Sequence, residues 1–221
     1  MIRCLTPIVV VLSAIAHAAP LSKGALEVRF LAESAPADLG QIALVADKKR
    51  STPFDLPVNN LSAPQTPPAR LFSVWAVDKN VSLATVTLPD NGKSFIVLLV
   101  PSPKGGYSPV VMNAGDPSFK PGDIYFHNHA DKTVLGFVGS AKFTLAPAQG
   151  TILRPQGARA EKFYDVGLGV REAEGDRVLC TTRWPEDDQS RFYVFFYLNP
   201  NTNRVAYRAV DEFVPPVVPE N

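Results

Sequence analysis

Apolar residues in this chain fall in short runs, many of them β-branched or aromatic, separated by proline, glycine, asparagine and aspartate. Long helical patterns are absent, and 21 prolines leave little uninterrupted sequence for one. The pattern predicts strands over residues 26–31, 41–46, 71–77, 82–88 and 95–100. A second series follows over 123–127, 133–138, 142–145, 163–170, 177–183, 192–198 and 204–210. Many short strands with turn signals at this spacing predict an all-β chain of the sandwich or barrel kind.

The two series resemble each other. Phe30, Leu39 and Gly40 recur 96 positions later as Phe126, Leu135 and Gly136, and Thr85, Pro89 and Ser94 match Thr181, Pro185 and Ser190 at the same offset. One inserted residue shifts the register, after which Phe95, Val97 and Pro103 match Phe192, Val194 and Pro200. Ordered matches inside units of the same polarity pattern predict a tandem duplication. The turn-rich segment 113–122, NAGDPSFKPG, supplies a boundary. The expected organisation is two tandem immunoglobulin-like β-sandwich domains, 19–116 and 117–213. Residues 52–70, with five prolines, read as a long loop, and 214–221 as a flexible tail.

Composition adds a destination. Arg3, the apolar run 5–15 and the small residues Ala16 and Ala18 read as a secretory signal cleaved after Ala18, giving residues 1–18 as signal peptide. The run is too short for a permanent span, which needs about 20 residues. The chain is therefore expected to be exported, periplasmic or secreted, with no membrane span. A net charge of +1 argues against a nucleic-acid partner. Cys180 is the only cysteine after the signal, so no intramolecular disulfide can form.

Alternation puts Val178, Cys180, Thr182 and Trp184 on one strand face, matched by Ser82, Ala84, Val86 and Leu88. Cys180 thus reads as a packed thiol without the basic setting of a nucleophile, and Trp184 as core. The run 192–198, FYVFFYL, and its counterpart 95–100 are apolar on both faces, which demands a second cover. Either the two units pack on each other there, or loops cover these strands, or Phe192, Phe196 and Phe95 belong to a partner-binding surface or a self-association surface.

His127 and His129 are the most chemical-looking pair. Strand spacing puts both imidazoles on one face roughly 7 Å apart, which suits joint metal ligation. Asp123, Asp131 and Glu33 are the conceivable third ligands, and spacing nominates none. No cofactor motif, hydrolase elbow, zinc-protease helix or phosphate loop is present. Asp187 and Asp188 read as turn residues rather than as an acid and base.

The segment 183–200, RWPEDDQSRFYVFFYLNP, resembles the P-x-D-x-x-S-x-F-x-hydrophobic stretch of periplasmic pilus chaperones, exported proteins with two immunoglobulin-like domains. The resemblance is one of fold; the duplication, the absence of catalytic constellations and the doubly apolar strands point to a non-enzymatic binding or assembly module of the envelope or extracellular space. The resemblance covers fewer than twenty residues and sits in the second unit, whereas the family carries the stretch in its first. The alternative expectation is a metal-dependent or carbohydrate-active β-sandwich using His127 and His129, with Trp75 and Tyr107 as further aromatic candidates.

Overall fold

The computed structural model describes residues 25–215, so the signal segment and all but the start of the expected tail lie outside the described residues. Within them every regular element is a strand. The first half holds β1 (Glu27–Ala32), β2 (Ile42–Ala46), β3 (Lys49–Arg50), β4 (Leu71–Ala76), β5 (Val81–Thr87), β6 (Ser94–Pro101) and β7 (Tyr107–Asn113). The second holds β8 (Ile124–Asn128), β9 (Val134–Val138), β10 (Ala141–Leu145), β11 (Gly150–Leu153), β12 (Phe163–Glu172), β13 (Gly175–Pro185), β14 (Ser190–Asn199) and β15 (Arg204–Phe213). No helix among the described residues is long and apolar enough to cross a membrane.

The strands form four sheets. The first half contributes an inner sheet, β1-β6-β7, and an outer sheet, β3-β2-β4-β5. The second contributes an inner sheet, β11-β8-β14-β15, and an outer sheet, β10-β9-β12-β13. In each half the first strand runs parallel to the penultimate one, with Phe30 opposite Val97 and Phe126 opposite Val194. Each half also carries a β-bulge at the matching place. Pairing passes from Val74–Ala84 to Trp75–Ser82 over Leu83, and from Leu168–Cys180 to Gly169–Val178 over Leu179.

Those bulges correct one expectation about faces. An extra residue reverses the alternation beyond it, so Leu179 and Cys180 both pack inward while Val178 turns out and is 70% exposed. Ser82 is likewise exposed beside inward Leu83 and Ala84. Trp184 packs against the second half's core, as expected.

Three apolar clusters hold the layers together. One lies between the sheets of the first half, around Phe30, Phe72 and Phe95. A second lies between those of the second half, around Phe126, Val166 and Phe196. The third joins the two inner sheets, with Leu31, Ile96, Leu98 and Met112 meeting Tyr193, Phe195 and Tyr197. Alternation along β6 makes this possible, because Phe95, Val97 and Leu99 serve the first cluster while Ile96, Leu98 and Val100 serve the third. The second cover required by the doubly apolar strands is the other half of the same chain.

The loops are pinned rather than loose. In the first half the proline-rich segment occupies the edge beside β1, through Val28–Gln65, Ser62–Phe30 and Ala32–Pro57 backbone bonds. In the second half β11 has that place beside β8. Phe119, in the segment between the halves, is buried against Tyr193 at 5.1 Å. Val214 still donates to the Gln189 carbonyl.

Phe195 is fully buried in the third cluster. Phe195→Ala is expected to lower stability by about 3–5 kcal/mol in urea unfolding, the range for large aromatic truncations.

Candidate functional site

The third cluster is apolar at its centre and polar at both ends. At one end stand His127 of β8 and His129 just beyond it, while Tyr125 shares their face further along β8, beside Tyr193. The imidazole rings of His127 and His129 are 6.4 Å apart and nearly parallel, and Tyr125 stands edge-on to His127. His129 lines a cleft of about 230 Å³ with Val100, Val110 and Tyr197. The Nδ1 atom of His127 is buried without a hydrogen-bond partner among the described residues. Burial, reinforced by His129, pushes the His127 pKa down to about 4. Burial also lowers that of His129, although its side chain reaches the surface.

Ligation needs more than this pair. Among the described residues, no group of three or more His, Cys, Asp or Glu side chains is placed to hold a metal ion. Asp123 is at the other end of β8, where it accepts from Arg154 and from the Lys120 amide. Glu33 accepts from Asn199. What the pair can do is titrate. The unfolded chain takes up a proton at His127 near pH 6.5, and the folded chain only near 4. Stability at this residue is therefore full above about pH 6.5 and falls as the pH drops toward 4. We expect His127→Phe to lose less stability than the native chain between pH 7.5 and 4.5 in parallel urea titrations, by roughly 2 kcal/mol.

At the opposite end, Glu212 of β15 accepts from Arg29 of β1, from Arg191 of β14 at 2.8 Å and from the Tyr193 hydroxyl at 2.7 Å. Burial alone would raise the Glu212 pKa, but the Tyr193 hydroxyl and the two guanidinium groups outweigh it and hold the carboxylate ionised. A polar cleft of about 310 Å³ opens beside this cluster. Arg29 to Glu212 is an ion pair between the two halves. Sequence reading missed it because the partners are far apart in the chain. The available signal was a pair of charged residues, Glu27 and Arg29, on the β1 face that also carries Leu31.

Other sequence candidates resolve into structural roles. Phe95 and Phe196 are fully buried inside the two sandwich cores, and Phe192 packs against the second. Phe95 and Phe196 have no exposed surface, whereas Phe192 is only partly buried. Cys180 is partly buried and accepts from the Tyr207 hydroxyl at 3.0 Å. Asp187 caps the backbone amides of Gln189 and Ser190, as turn chemistry predicts.

A different surface remains open. On the outward face of the second half's outer sheet, a cleft of about 190 Å³ runs over Gly167 and Gly169, walled by Leu135, Phe137, Val178 and Thr181. A β-carbon at Gly167 would sit 2.4 Å from the Phe137 ring, so this glycine is what lets the ring lie flat on the sheet. Glycine inside a strand weakens it and often marks close approach by another group. Phe137 and Val178 are among the few large apolar residues left exposed. The signal for this groove was the glycine pair in VGLGV, set between apolar neighbours. No family model matches the chain, and no curated protein sequence matches it.

Proposed function

We propose that this chain is an exported, non-enzymatic binding or assembly module made of two tandem immunoglobulin-like β-sandwiches, the second a duplicate of the first. Matching strand order, register and bulge support the duplication. The pairing of a four-stranded with a three-stranded sheet in the first half supports the immunoglobulin-like reading. The second half adds β11 to the same plan.

One observation carries the binding role. The doubly apolar strands are consumed by packing between the halves, yet the glycine-floored groove with Phe137 and Val178 stays uncovered. Exposed apolar surface beside polar rims is the usual mark of a contact site. The partner of this groove is a protein segment that presents an apolar side chain to it.

Two measurements test this. N-terminal sequencing of the chain recovered from an envelope or culture fraction is expected to begin at Ala19. Immobilised mature chain is expected to retain a defined protein from the same fraction, and Phe137→Asp to reduce that retention at least tenfold with circular dichroism unchanged. Equal retention by Phe137→Asp would remove the groove from the account.

A further inference from the structure

The outward face of the first half's outer sheet differs in kind from its counterpart. Phe72, Val74 and Ala76 of β4 and Ala84 and Val86 of β5 face the core. The alternate residues Leu71, Ser73, Trp75, Thr85 and Thr87, with Ser82 beyond the bulge, face out. They form cross-strand rows: Leu71 with Thr87, Ser73 with Thr85, and Trp75 with Ser82. At the equivalent places the second half has Asp165 with Arg183, Gly167 with Thr181, and Gly169 with Val178. Core-facing positions stay small or apolar in both halves, while five of the outward six have separated in chemistry, Thr85 and Thr181 being the matched pair.

These six side chains carry no charge. Ser82, Thr85 and Thr87 are exposed, Ser73 is partly so, and Leu71 is 59% exposed. Adjacent strands are about 4.8 Å apart and alternate residues about 7 Å apart. The hydroxyls therefore form a grid at the scale of a pyranose ring, with Trp75, partly exposed, on the same face. Arg50, next to Val45 in the row that leads to Ser73, supplies a single cation at the far edge. Such a face has nothing to neutralise a row of phosphates or carboxylates. It has an aromatic platform for the C–H face of a sugar and hydroxyls that both donate and accept.

We infer that the outward face of β4 and β5 binds a neutral glycan. Trp75 stacks under a pyranose ring while Ser73, Ser82 and Thr85 bond its hydroxyls. This site is on the opposite side of the four-sheet stack from the Phe137 groove and does not depend on it.

Affinity electrophoresis of the mature chain tests the inference. Native gels would contain hydroxyethylcellulose, galactomannan, laminarin or dextran, with polygalacturonate as the anionic control. The native chain is expected to be slowed by at least one neutral polymer. Trp75→Ala should weaken the interaction at least tenfold, Trp75→Phe should restore part of it, and Phe137→Asp should leave it unchanged. Circular dichroism of each variant confirms the fold. Free migration in all four neutral gels overturns the inference, as does retardation that survives Trp75→Ala. Retardation by polygalacturonate alone also overturns it, because that would be charge binding at Arg50.

Discussion

Contact between the two inner sheets is the constraint on which the rest of the molecule depends. Strands β6 and β14 carry apolar side chains on both faces, and a sandwich covers only one of them. Packing the inner sheets on each other buries Leu98, Phe195 and their neighbours, at roughly 25 cal/mol per Å² of apolar surface removed from water. Four layers follow, with two inner sheets whose central strands β6 and β14 are covered on both faces and two outer sheets that meet solvent on one.

That division sorts the residues by what they can do. Side chains of the inner sheets' central strands pack into the sandwich cores and the contact between the halves, and the histidine pair lies at one end of that contact. The polar groups cluster at the ends of the interface, where Arg29 and Arg191 converge on Glu212, and where Arg191 Nε and His127 Nδ1 are left unpaired among the described residues. The desolvation of such a triad offsets much of its attraction, so it contributes little net energy. The outer faces are free of such duties, and there the two halves differ most.

Much of the fold was legible in the residues, because period-two alternation and turn chemistry are local. Twelve strands were expected, each close to where it occurs. The three missed ones lacked that signal: Lys49–Arg50 is two charged residues, Tyr107–Asn113 contains Pro109, and Gly150–Leu153 opens on glycine. The bulges were illegible, since Leu179 looks like any other apolar residue until its pairing is seen, and with them went the true face of Val178. The need to cover 192–198 was plain from FYVFFYL, and the cover proved to be 95–100 itself. The site was much less legible. An H-x-H pair announces itself in a sequence, whereas a groove made by two missing side chains, or a grid of hydroxyls on neighbouring strands, exists only after the strands are paired.

Met112 offers the most direct test of the inner-sheet contact. It lies on β7, the edge strand of the first half's inner sheet, and faces the other half with no exposed surface. Its oxidation by hydrogen peroxide, followed by mass spectrometry, reports whether that face is covered. If the halves pack as described, Met112 stays reduced in the native chain and oxidises only as the chain unfolds in urea. Oxidation of the native chain at the rate of free methionine would mean that the inner sheets do not meet.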